Sequence, residues 1–268
     1  MPHGESWFSL FPFHQRVIHW AAGLPLNEEG HTWIAHANPG VQHLYASGMV
    51  LLIIAIVGVL TDTSIRDAKN ILPEGKFTVR TFAELLTTAT YGMMADQMGA
   101  KAARFFLPLI GTCMFFILFS NMLGLVPGFL PATDNFNTTL ACGIVVFIAT
   151  HIYGLKENGA GHVMHLFGPW MGPWLIPINI LMFFIEIISH LVRPLSLGIR
   201  LMANMVADHM VLGIFLGFAA SLAFPVFMFI PLPLPLYLLG LLVVCVQALV
   251  FSLLSTVYIA MAIEHTEH

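Results

Sequence analysis

The run Ile187–His209, IISHLVRPLSLGIRLMANMVADH, sets Arg200 in the middle of a segment otherwise built for lipid. A guanidinium at mid-membrane depth costs about 2.5–3.5 kcal/mol on insertion scales, so partners or function must offset it. Arginine also keeps its proton in proteins, where a buried lysine can lose one. A fixed positive charge at depth attracts a carboxylate without competing for its proton. That property suits an ion path.

The whole chain supports this reading of the run. It is 58% hydrophobic and only 9% charged, far from the roughly 25% charged residues of soluble domains. Its mean hydropathy is +0.85, and its apolar runs reach the ~20 residues that a spanning helix needs. The expected fold class is therefore an all-α polytopic membrane protein. Net charge is −4, which makes nucleic acid an unsuitable partner. Cys113, Cys142 and Cys245 all fall inside apolar runs without CxxC or zinc spacing, and read as small helix-packing residues. No cofactor, metal site or catalytic residue is expected, and no G-x-x-x-x-G-K loop is present.

Reading outward from Arg200 divides the chain. Residues 1–43 form a pre-membrane segment with aromatics and histidines; Glu5, Glu28 and Glu29 interrupt it, so no cleavable signal is expected. Residues 44–60 predict a first span, followed by a polar stretch. Residues 78–100 mix Glu84, Asp96 and Gln97 with Phe82, Leu85 and Met94, a pattern for an amphipathic helix lying on the surface. Spans follow at 105–126 and 138–153, separated by a connection that carries Asp134 and no Lys or Arg. A long tilted helix over 175–223 carries Arg200, with a bend near Phe224–Pro225. The prolines Pro231, Pro233 and Pro235 mark a turn into a last span at 236–262, against which the long helix is expected to pack, leaving 265–268 as a tail. The membrane domain as a whole is 44–264, with about five crossings and one surface helix.

Six of the 10 basic residues lie between Arg66 and Arg104, which assigns that side to the cytoplasm. The N terminus is then outside and the C terminus cytoplasmic.

At about 100° per residue, the helix through Arg200 gathers most of its polar residues in one stripe. Glu186, Ser189, Arg193, Ser196 and Asn204 all fall in a narrow arc centred on Arg200, Ser189 and Ser196 to one side of it and the others to the other. Asp208 and His190 lie further to the side, His209 lies nearly opposite, and Pro194 is a candidate bend. Such a stripe also serves as packing glue, because Ser, Asn and His hydrogen-bond across membrane helices. Glu186 and Arg193 admit the reading of an ordinary snorkelling pair. Arg200 does not: no anion lies three or four residues away, so its counter-charge is expected from another chain. Gln247, alone among apolar residues of the last span, is glue or a second group beside Arg200.

Three stretches together resemble subunit a of the F-type ATP synthase, the membrane stator of a rotary motor. They are RPLSLGIRLMANMVADH (193–209), QALVFSLLSTVYIAMAIEH (247–265) and FFLPLIGTCMFFILFSNMLGLVPG (105–128). The resemblance covers about residues 76–264. It implies that Arg200 faces a ring of c subunits, that Asn204 and Gln247 are the polar residues beside it, and that His209 lines a half-channel from outside. It also implies that Glu186, helped by His190, belongs to the cytoplasmic half-channel. Asn121 matches an asparagine ending the earlier span. The implied partners are the c ring, the peripheral-stalk b subunits, the rest of the synthase and the bilayer; the long N-terminal segment gives the expectation of a bacterial inner membrane.

Two positions depart from the pattern. Gly240 stands where the family often has His or Glu, and Asp208 stands where Gly is common. The expectation is that Asp208 supplies the titratable group that Gly240 lacks. Gly124 is another site where some relatives carry an acid.

Two rival classes compete with this reading. The pairs His14/His19, His31/His36 and His162/His165 suggest a membrane di-iron oxygenase, but their spacing is loose and they fall on different expected faces. A standalone proton or ion transporter lacks support from any internal repeat.

Overall fold

The computed structural model describes residues 42–66, 78–126, 129–158, 176–221 and 233–263. Residues 1–41 of the pre-membrane segment 1–43, residues 159–175, the expected bend at Phe224–Pro225 and the tail 265–268 lie outside the described residues.

Described residues form five long helices and one short turn: α1 (Gln42–Arg66), α2 (Val79–Gly124), a 3-10 turn (Ala132–Asp134), α3 (Phe136–Asn158), α4 (Ile176–Ser221) and α5 (Pro233–Ile263). All five are long and apolar enough to cross a membrane. An all-helical plan follows from the solvent, because backbone polar groups in hydrocarbon must be satisfied within the segment itself. Polar residues continue two of the helices past their apolar runs: α1 reaches Arg66 and α3 reaches Asn158.

Helix α2 contains a break. Gly99 sits at φ 79°, ψ 158°, a region essentially reserved for glycine. The helix is thus two pieces joined at one residue. The first is capped at Thr78, whose hydroxyl accepts from the Thr81 amide at 3.3 Å. Its buried positions Arg80, Ala83, Thr90 and Met94 recur at helical spacing, so one face packs; Glu84 accepts from the buried Arg80 at 2.7 Å, while Asp96 and Gln97 are exposed. Pro108 and Pro194 both sit inside helices. α4 runs unbroken through Pro194. α5 opens on Pro233 and Pro235, positions where the missing N–H has no helical partner to lose.

The chain divides into two compact units. One comprises Met1–Leu85, Phe115–Thr138 and Met202–Ala248; the other comprises Leu86–Met114, Thr139–Leu201 and Leu249–His268. In the first, Ala46 and Ala132 pack with Met49, Phe116, Leu123 and Phe129. In the second, Met94, Ala103, Phe106, Ile110 and Ile259 form the core, and the Tyr153 ring meets Phe106 edge-on at 4.9 Å. Glycines set its closest helix approach. A Cβ at Gly143 would come within 2.7 Å of the Pro194 carbonyl oxygen, and one at Gly198 within 3.1 Å of the Leu140 Cα. Small residues let membrane helices approach this closely, as packing between helices in lipid requires.

Candidate functional site

In the first unit, the end of α2, the 3-10 turn, the middle of α4 and the start of α5 converge. Thr133 ties two of them together. Its backbone amide donates to the Ser120 hydroxyl at 3.2 Å and its hydroxyl donates to the Asn121 side-chain oxygen at 2.5 Å. All three side chains are buried, so the bonds hold the 3-10 turn over the end of α2 and fix Asp134 beside them.

Two glycines are filled from outside by titratable side chains. A Cβ at Gly124 would lie 2.7 Å from His209 Nε2, and one at Gly240 would lie 3.2 Å from Asp208 Oδ2. The imidazole therefore occupies the space that Gly124 leaves, and the carboxylate occupies the space that Gly240 leaves. His209 Nε2 is buried and has no hydrogen-bond partner among the described residues. Burial pushes the Asp134 carboxyl above the ordinary carboxylate range, and the His209 imidazole opposes that rise. Asp134, His209 and Asp208 thus form one electrostatic group. The sequence alone does not mark Asp134 as a site residue, although an acid in a connection devoid of Lys and Arg is the available signal.

In the same unit, Asn204 of α4 donates its side-chain amide to Gln247 of α5 at 2.7 Å. Gln247 is buried while Asn204 is exposed. The two amides predicted to lie beside the arginine are bonded to each other.

The second unit holds Arg200, exposed on α4. No salt bridge to Arg200 occurs among the described residues. Glu186 and His190, one turn apart on the same helix, approach to 3.3 Å between Oε1 and Nε2. This departs from the snorkelling pair of Glu186 with Arg193. The i,i+4 spacing favours His190 for Glu186, and the Arg193 guanidinium instead lies over the Tyr258 ring at 5.5 Å. His151 of α3 meets His190 edge-to-face, with ring centroids 5.3 Å apart.

No group of three or more His, Cys, Asp or Glu able to hold a metal ion occurs among the described residues. The His14/His19, His31/His36 and His162/His165 pairs lie outside them.

A fixed cation and titratable groups set within apolar helices define the class: a polytopic helical membrane protein whose intramembrane ionisable residues have a function to serve. Comparison with known proteins narrows it. The family described as ATP synthase A chain matches residues 46–260. "ATP synthase subunit a" of Sorangium cellulosum is 42% identical over 249 residues, covering 89% of this chain and 90% of that protein. The protein of the same name from Bdellovibrio bacteriovorus is 42% identical over 233 residues, covering 85% and 95%. That from Citrifermentans bemidjiense is 41% identical over 228 residues, covering 84% and 91%. The chain belongs to the ATP synthase A chain family and is a multi-pass bacterial membrane protein. Neither the oxygenase nor the standalone transporter is favoured.

Proposed function

We propose that the chain is the stator subunit a of an F-type ATP synthase, providing two proton half-channels against a rotating c ring and coupling proton flow to ATP synthesis. It is itself non-catalytic. The observation that carries this is the order of groups along α4. Arg200 follows His190 by ten residues and precedes Asp208 by eight, about 15 and 12 Å of helix rise. A permanent cation separates two sets of proton-handling side chains.

A proton from outside passes Asp134, His209 and Asp208 and neutralises a carboxylate on the c ring. His209 suits this task because an imidazole changes charge near neutral pH. The neutral carboxyl can turn into lipid, where the ionised form would be too costly. On returning it meets Arg200, whose charge stabilises the carboxylate and favours release of the proton. Glu186 and His190 receive it on the cytoplasmic side. Arg200 also repels any proton seeking a direct route between the two paths. The membrane potential supplies about 2.3 kcal/mol per charge per 100 mV.

The bonded pair Asn204–Gln247 positions α4 against α5 and leaves Arg200 to the ring. Peripheral-stalk b subunits anchor the assembly in the bacterial inner membrane. The test is ATP-driven proton pumping in vesicles carrying the native complex. Arg200→Ala abolishes pumping with the complex still assembled, and Arg200→Lys is severely impaired because lysine can neutralise. Intact pumping in both variants defeats the proposal.

A further inference from the structure

A cavity in the second unit is lined by His151, His190, Arg193, Pro194, Gly143 and Tyr258, among others. Its open space of about 10 Å³ is close to the least that one water needs. Two imidazoles facing one water-sized space, inside apolar helices, are a costly arrangement for packing alone. We propose that His151 is a proton-relay residue of the cytoplasmic path, exchanging protons with His190 and Glu186 through this cavity. The inference rests on the stator reading above and adds a residue on α3 to a path otherwise assigned to α4.

Hydrogen bonding fixes which atoms take part. The His151 Nδ1 lies 2.9 Å from the Phe147 carbonyl oxygen. A carbonyl only accepts, so Nδ1 carries the hydrogen and Nε2 holds the lone pair in the neutral ring. His190 Nε2 faces the Glu186 carboxylate and likewise carries a hydrogen when that carboxylate is ionised. A proton arriving from the Arg200 side adds to His190 at Nδ1 and makes it an imidazolium. His190 then passes that proton from Nδ1 across the cavity to His151 Nε2 and returns to its neutral starting tautomer, with Nε2–H still on Glu186. His151 releases the same proton from Nε2 to water and is restored with its Nδ1–H still on Phe147. No other reactant is needed.

The charged and titratable groups facing this exchange are Glu186 and Arg193 of α4 and Tyr258 of α5; Tyr153 of α3 turns away to Phe105 and Phe106, with Lys156 6.0 Å from its ring. The Arg193 guanidinium on the cavity wall repels a second positive charge. A proton therefore passes through and does not lodge there.

The experiment measures ATP synthesis by the intact complex in vesicles under a fixed driving force, across cytoplasmic pH 5.5 to 7.5, about one unit either side of the value of ~6.5 at which an ordinary imidazole changes charge. His151→Gln keeps a donor for the Phe147 carbonyl but cannot cycle a proton. It lowers the rate about tenfold, below the ~100-fold of a positioned acid–base group because water carries part of the flux, and it flattens the pH profile. His151→Ala is lowered likewise and is rescued by added imidazole but not by weakly basic pyrazole of the same size. A wild-type rate and pH profile in His151→Gln overturns the inference, as does rescue of His151→Ala equally by both molecules, which would mean that His151 only fills space. Arg200→Ala runs in parallel. Surviving ATP synthesis there sinks the stator reading itself, whereas loss there with unaffected His151 variants sinks only the relay.

Discussion

At the residue scale, the cluster of Asp134, His209 and Asp208 turns on which position carries the carboxylate. Gly240 has no side chain, and the Asp208 carboxylate lies where a Cβ at 240 would come within 3.2 Å of Oδ2. The carboxylate thus stands in the same volume that a longer side chain at 240 would reach. Asp208→Asn keeps that volume and removes the charge, so proton flux through the complex falls by about tenfold or more. Asp208→Gly combined with Gly240→Glu moves the carboxylate to the opposite helix and restores much of the flux. The other close atom at Gly240 is Leu125 Cδ2 at 2.8 Å, the mobile end of a side chain that can give way. Flux measured in vesicles decides it: an unchanged rate in Asp208→Asn rules out the compensation. The pairing was readable in the sequence only as two coincident departures from a pattern. Its geometry was not, because the rest of α4 and a whole connection separate the two positions along the chain. His151 was invisible for a related reason. A lone histidine in a span reads as packing until its neighbour across the interface, His190, is known.

At the element scale, α2 shows how one backbone angle divides two functions. Its first piece packs one face and leaves Asp96 and Gln97 exposed, while its second piece is apolar enough to span. A continuous helix would present one axis to both tasks, and Gly99 at φ 79°, ψ 158° redirects the chain between them. Composition made the change of character after residue 100 legible, and the break itself rests on a dihedral that sequence does not state. Any Cβ at 99 is strained there whatever space surrounds it; nothing lies within 4 Å of the added atom. Gly99→Ala therefore costs about 1–3 kcal/mol through conformation alone, with no contribution from a clash. The outcome is a lower melting temperature of the assembled complex and a reduced yield of complex in the membrane. Ala at the neighbouring exposed Gly92, which has helical neighbours and open space, leaves both unchanged or slightly improved. Equal effects at the two positions contradict a conformational origin. The long helix α4 gives the complementary case, since Pro194 sits within it without interrupting it.

At the scale of the whole molecule, the proposed direction of proton travel depends on which side each connection faces. The basic residues Arg66, Lys69, Lys76, Arg80, Lys101 and Arg104 are the ground for proposing that the region between α1 and the spanning part of α2 lies in the cytoplasm. In the orientation proposed here, counting crossings from there puts the 3-10 turn with Asp134 outside and the end of α3 with Lys156 and Glu157 in the cytoplasm. This assignment gives Asp134, His209 and Asp208 to the inlet and Glu186, His190 and His151 to the outlet; the opposite orientation would exchange the two roles. Exposed large side chains run along every span, among them Leu51 at 58%, Leu181 at 59% and Leu242 at 59%, a surface suited to lipid and to partner helices. With Cys113, Cys142 and Cys245 replaced by serine or alanine, single cysteines report sidedness. Asn137→Cys, exposed at the start of α3, reacts with a membrane-impermeant maleimide from outside in sealed right-side-out vesicles. Glu157→Cys, exposed at its other end, reacts only after permeabilisation or in inverted vesicles. The reverse pattern would leave the chemistry of each cluster intact but exchange inlet and outlet, and His151 would then serve proton uptake. Because the positive-inside argument rests on loops and the relay rests on side-chain geometry, the labelling result tests the direction of flow without presuming the mechanism.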